Sequence, residues 1–206
     1  MNFPHLENFY SVLEIIDPYI NRTPIITSSS INKKFDLDIY FKLELMQKTG
    51  SFKARGAVNK VLKLSDDEKL RGVIAISAGN HAQATSWACS LFGIKSKIVM
   101  PHTASKLKIN ATKSYGGDVV LTKGKMMDTC QELIDQENLT FVHPFDDHDI
   151  ISGQGTVSLE AINEIKTLDY AFISIGGGGL ISGMACFLKQ INPDIKVIGV
   201  EPILSN

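Results

Sequence analysis

Short apolar, β-branched runs alternate with stretches of helical spacing along almost the whole chain from residue 39 onward. The runs at 39–45, 73–77, 97–101, 118–122, 141–144, 171–175 and 196–202 predict strands. Between them, Ala84, Ala88, Leu91 and Phe92 repeat at helical spacing and stop at Gly93. Leu180, Met184, Phe187 and Leu188 do the same and stop at Asn192-Pro193. Segments 125–138 and 154–166 also read as helices, and Lys106, Lys108 and Lys113 mark the wet face of another. Repeated βα units with nearly all-apolar strands predict a parallel sheet covered on both faces, the α/β class. Ligands of such sheets bind where strands run into helix N-termini.

Charge and cysteine usage narrow the partners. The 206 residues carry 21 Lys plus Arg against 22 Asp plus Glu, a formal net charge of -1. That balance offers no attraction for nucleic acid or an anionic membrane surface. No apolar stretch reaches the ~20 residues of a membrane helix. The N-terminal run MNFPHLENFYSVLEII mixes His5, Glu7 and Glu14 into its apolar positions and lacks a basic start, so no secretory signal is expected. Cys89, Cys130 and Cys186 are too widely spaced for a disulfide framework or zinc site, which points to a cytoplasmic protein.

Three strand-to-helix junctions carry unusual chemistry. At the first, a strand runs into Gly176, Gly177, Gly178 and Gly179, and a helix follows near Leu180. Consecutive glycines bring main-chain N–H groups close to a ligand, and the helix N-terminus adds its dipole, which together suit a phosphate. A tight structural turn is the alternative. Gly177-x-Gly179-x-x-Ser182, with Glu201 ending the next strand, also approaches a dinucleotide fingerprint; no G-K-[ST] follows, so a P-loop is excluded.

At the second junction, Ser77, Ala78, Gly79, Asn80 and His81 lead into a helix and offer backbone N–H groups, a hydroxyl and an amide to a carboxylate. Asn80 acting only as a helix cap, or His81 as a surface residue, fits equally well. At the third, Lys53 stands in the first turn of a helix, where the dipole disfavours a cation. In a dry setting its amine becomes a nucleophile and base, but physics alone does not choose it over Lys42 or Lys48. The segment from His143 to Asp149 reads as a solvated loop.

The stretches FKLELMQKTGSFKARGA (41–57), SAGNHAQ (77–83), GQGT (153–156) and SIGGGGLISG (174–183), in this order, resemble the fold-type II pyridoxal-phosphate enzymes, in the serine/threonine dehydratase and serine racemase branch. The resemblance covers essentially the whole chain. It implies a tryptophan synthase β-like fold with two three-layer parallel-sheet domains, a large one from 1–69 and 147–206 and a small one from 70–146. Lys53 matches the lysine that holds the cofactor covalently, and Phe52 the aromatic beside its ring. Gly176, Gly177, Gly178, Gly179 and the Leu180 amide match the phosphate loop. Asn80 matches the partner of the phenolic oxygen. Ser77 and the amides of Gly79, Asn80 and His81 match the carboxylate cradle.

The implied reaction is β-elimination of L-threonine or L-serine to 2-oxobutanoate or pyruvate and ammonia. Serine racemase, a 3-hydroxyaspartate dehydratase and an inactive cofactor-binding fragment are the alternatives. Racemase-like members carry a serine where this chain has Ala78, and alanine has no proton to exchange. Family members continue past the GVEP strand, so the large domain is expected to be incomplete here. Glu201 matches the start of a divalent-cation site whose other ligands lie around or past Asn206. A small amino-acid substrate, and a homo-oligomer at full length, complete what the resemblance implies.

Overall fold

The computed structural model describes residues 3–203, so Met1 and Asn2 of the N-terminal run and the Asn206 end lie outside the described residues. Its centre is a four-stranded, all-parallel sheet of β3 (Val73–Ile76), β4 (Ser96–Pro101), β5 (Asp118–Thr122) and β6 (Thr140–Phe141), in the order β5-β4-β3-β6. Side chains of β3 and β4 alternate between two faces, as strand geometry requires. Val73, Ala75, Ile98 and Met100 join a core that includes Ala84, Ala88 and Cys89 of α5 (Asn80–Ser90). Ile74 and Val99 point the other way, to Cys130 of α7 (Met126–Glu137) and Leu139. Both faces are therefore covered, which is why these strands read as apolar runs. The helix of Lys106, Lys108 and Lys113 spans Lys106–Ser114 (α6).

A second parallel pair, β7 (Tyr170–Ser174) and β8 (Lys196–Val200), flanks α9 (Gly179–Ile191). Ile173 is buried on one face of this pair, while Phe172, Ile198 and Val200 are exposed on the other. One pair departs from the all-parallel expectation: β1 (Ile25–Thr27) and β2 (Tyr40–Lys42) run antiparallel.

The remaining helices bring the junctions together. Helix α1 (Leu6–Ile16) and α3 (Lys53–Leu62) pack on α8 (His148–Glu164), and α8 lies against α9. Glycines make the α3–α8 contact close: a Cβ on Gly153 would sit 2.5 Å from the Gly56 Cα. Likewise a Cβ on Gly155 would sit 2.8 Å from the Gly183 carbonyl of α9. The GQGT stretch thus sets the separation between the helix that starts at Lys53 and the helix that starts at the glycine loop. Between Asn21 and Lys53 the chain also makes α2 (Ser29–Phe35) and two single 3-10 turns, and α4 (Asp66–Arg71) precedes β3. No helix among the described residues is long and apolar enough to cross a membrane.

Candidate functional site

Lys53 is the first residue of α3, and the approach to it is strained. Thr49 adopts φ 58° and Gly50 φ 72° in the turn just before it. A β-branched residue at positive φ is rare and costs of order 1–3 kcal/mol, a strain that clusters at working sites. The hydroxyls of Thr49 and Ser51 are buried without a hydrogen-bond partner among the described residues.

The three lysines left undecided by the sequence are now distinct. Lys42 Nζ donates to Glu160 Oε2 and to the Thr23 carbonyl, each at 2.6 Å, in a nearly buried ion pair. Lys48 is exposed. Lys53 Nζ has no carboxylate partner among the described residues; it donates to the Pro144 carbonyl at 2.6 Å and lies 5.3 Å from the Phe52 ring centre. Burial lowers its pKa from 10.5 to about 8, because an ammonium loses hydration without gaining a counter-charge. At pH 7 about a tenth of such an amine is neutral, against about one in three thousand unperturbed.

The glycine loop joins β7 to α9. Gly178 has φ 90° and caps α9, with no side chain capping the helix end. The first-turn amides of α9 therefore remain available to an anion. Gly177 and Gly179 are required by close approach, since the ring and backbone of Phe145 lie against them. Gly176 is different: a Cβ there would meet nothing within 4 Å. No packing demand explains that glycine, and an open cradle of backbone N–H groups does. A phosphorylated cofactor with a carbonyl for Lys53 fits these residues.

At the end of β3, Gly79 is the N-cap of α5 and Asn80 is its first residue, so Asn80 is not the cap. Ser77 Oγ accepts the Gly79 amide at 3.1 Å, which occupies one donor of the expected carboxylate cradle. The Asn80 side chain is exposed, whereas His81 is buried rather than on the surface. His81 Nε2 donates to the Val142 carbonyl at 3.0 Å, leaving Nδ1 buried and unpartnered. Burial first of all, with Lys53 and His143 nearby, lowers the His81 pKa to about 4, so the ring is neutral at pH 7.

Residues 142–145, which the sequence divides between the end of a strand (141–144) and the start of a solvated loop (143–149), are buried or half-buried and connect these junctions. The signal was present as a period of two: Phe141, His143 and Phe145 stack edge-on, at 5.7 and 4.7 Å between ring centres. Glu201 is exposed just after β8, and no group of three or more His, Cys, Asp or Glu among the described residues could hold a metal ion.

Gly176→Asp tests the loop. It adds charge at a position where a Cβ meets nothing within 4 Å, so the melting temperature should hold while affinity for pyridoxal phosphate falls at least tenfold. Unchanged affinity in a binding titration would leave the loop a structural turn.

Comparison with known proteins identifies the family. Residues 16–206 match the family model described as pyridoxal-phosphate dependent enzyme. A catabolic L-threonine dehydratase of Staphylococcus aureus (strain N315) is 47% identical over 191 residues, 90% of this chain and 55% of that protein. Serine racemase from Dictyostelium discoideum matches with a TM-score of 0.92 and 40% identity, covering 96% of this chain and 66% of that one. The processed form of threonine deaminase isoform 2 from Solanum lycopersicum matches at 0.88 and 37%, covering 98% and 58%. The chain spans about half the length of the curated relatives it matches, 55%.

Proposed function

The chain belongs to the pyridoxal-phosphate-dependent enzymes and has the fold of their fold-type II branch, and from that premise we propose that it serves the dehydration and deamination of L-threonine or L-serine. The observation that carries the reading is the Lys53 amine, half-buried, free of any carboxylate among the described residues and set at the start of α3, just after the strained turn at Thr49 and Gly50.

In this reading Lys53 Nζ would hold the cofactor, and as a neutral amine it would be the base for the substrate α-proton. The cofactor supplies the electron sink for the pair left on carbon. Phe52 would lie beside the cofactor ring, Gly176 to Gly179 and the Leu180 amide would receive its phosphate, and Asn80 would pair with its phenolic oxygen. Ser77 and the amides of Gly79, Asn80 and His81 receive the substrate carboxylate; the Gly79 amide must then exchange its Ser77 partner for the ligand. Residues 70–146 close over the substrate and exclude water, while 1–69 and 147–206 hold the cofactor.

Serine racemases among the solved relatives keep a second reading in view. Ala78, at the second junction, offers no proton to the face opposite Lys53, which favours elimination. The test is a titration with pyridoxal phosphate followed by assays with both substrates. A near-visible absorbance band, 2-oxobutanoate from L-threonine and little D-serine from L-serine are expected. Rapid interconversion of D- and L-serine would overturn elimination, a band without turnover would leave a binding fragment, and no band would remove the cofactor.

A further inference from the structure

The reading above gives residues 142–145 no part, yet they touch all three junctions. The Val142 carbonyl accepts from His81 at the start of α5. Two residues on, the Pro144 carbonyl accepts from Lys53 Nζ at 2.6 Å. Phe145 then lies against the glycine loop: its ring meets Gly177, and a Cβ on Gly179 would be 2.9 Å from the Phe145 Cβ. The ring is also braced by His143, 4.7 Å away and nearly perpendicular. His143 Nδ1 accepts the Asp146 amide at 2.7 Å and the Phe145 amide at 3.3 Å, which fixes the turn after Pro144.

We infer that residues 142–145 are a strap that seats the free Lys53 amine on the Pro144 carbonyl and shapes the glycine loop through Phe145, which is thus a positioning residue for both. The chemistry favours a carbonyl in this place. A carbonyl accepts an N–H and so directs the nitrogen lone pair away from itself, toward an incoming carbon. A carboxylate would orient the amine equally well but would hold it charged and unreactive. Burial is what acts on the Lys53 amine, while the charged groups that act on its neighbour His81 are Lys53 itself, His143 and Asp147, the last paired with Lys60 Nζ at 2.7 Å. Because Phe145 is one residue from Pro144 and in contact with two loop glycines, movement of its ring displaces the seat and the loop together.

The strap rests on the proposed function for what the loop and the lysine bind, so its test has an arm that needs no cofactor. Phe145→Ala and the milder Phe145→Leu are compared with the parent chain. In the absence of cofactor, the pH dependence of Lys53 modification by trinitrobenzenesulfonate, read on the isolated peptide, gives the midpoint for the amine. That midpoint is expected near pH 8 in the parent, at least one unit higher in Phe145→Ala, and between the two in Phe145→Leu. With pyridoxal phosphate, affinity should fall at least tenfold in Phe145→Ala. If Phe145→Ala does not fold, the Phe145→Leu midpoint decides. A folded variant with lower thermal stability but an unchanged midpoint and unchanged affinity would reduce Phe145 to ordinary packing and overturn the strap. Should the parent itself fail to bind pyridoxal phosphate, the proposed function falls, and the Lys53 midpoint still decides the strap.

Discussion

Lys53→Ala removes both the near-visible absorbance with pyridoxal phosphate and any keto acid formed from L-threonine, while Lys48→Ala keeps the absorbance. The difference follows from surroundings, since Lys48 is exposed and Lys53 sits beside Phe52 with only the Pro144 carbonyl as partner. Truncation at Lys53 removes an unpaired, desolvated cation, so the fold should not suffer. The same environment fixes the pH dependence of cofactor attachment. With a pKa lowered to about 8, the neutral amine accumulates as pH rises through 8, and the attachment rate should level off above it. An inflection near 10.5 would mean the amine is fully solvated. Borohydride reduction of the bound state should mark Lys53, and a mark on another lysine would sink the assignment.

Arg55→Met should cost about 3–5 kcal/mol of folding stability, the typical effect of breaking a buried ion pair from one side. The Arg55 side chain is fully buried. Its guanidinium donates to Glu44 through Nε and Nη2, both at 2.8 Å, and to Glu160 through Nη1 at 2.6 Å. Lys42 completes a neutral set of four charges by donating to Glu160. Burial alone would push the Glu160 carboxyl up, but hydrogen bonds and attraction from Arg55 and then Lys42 outweigh it, and its pKa lies below the ordinary value. A carboxylate held below its unfolded pKa stabilises above that pKa and loses the contribution as pH falls through the folded one. The parent should therefore weaken below about pH 4.5, and Arg55→Met should show less of that acid slope. Against a usual total of about 5–15 kcal/mol, the loss is a large share. Arg55→Lys should recover only part, since an ammonium cannot reproduce the fork. Denaturant titrations measure both, and a loss under about 1 kcal/mol for Arg55→Met would show that the two glutamates find other partners.

The same ion network explains where local sequence patterns misled. Residues 39–45 alternate like a strand, but pairing stops at Lys42 and Glu44 begins a 3-10 turn. Lys42 and Glu44 are drawn to Glu160 and Arg55, the former 118 residues away from Lys42, and no window of a few residues shows that. At 141–144 the expected strand ends after Phe141, because Pro144 cannot donate to a ladder and His143 binds the next amides itself. Helix α8 starts at His148, earlier than the 154 expected, with Asp147 as its cap. Ser152, Gly153 and Gly155 are weak helix formers, and the close approach of α3 and α9 overrides their propensity.

What the sequence does display at the junctions is a break with local preference. Glycines in a row and a first-turn lysine contradict ordinary local preferences, and such contradictions gather at sites. The βα alternation was legible for a similar reason, since strands covered on two faces have no polar side to blur the pattern. The strap at 142–145 was only half legible: the alternation of Phe141, His143 and Phe145 is in the sequence, but the carbonyls of Val142 and Pro144 that meet His81 and Lys53 are main-chain groups, which any residue carries.

Each face of the central sheet also holds its own silent thiol. Cys89 lies on the α5 side and Cys130 on the α7 side, both fully buried. Burial pushes their thiols up to about 12 and about 11, so neither is a nucleophile while its layer stays shut. A thiol reagent therefore reads opening rather than reactivity, and does so separately for the two layers. The chain carries a built-in clock for which side of the sheet breathes first.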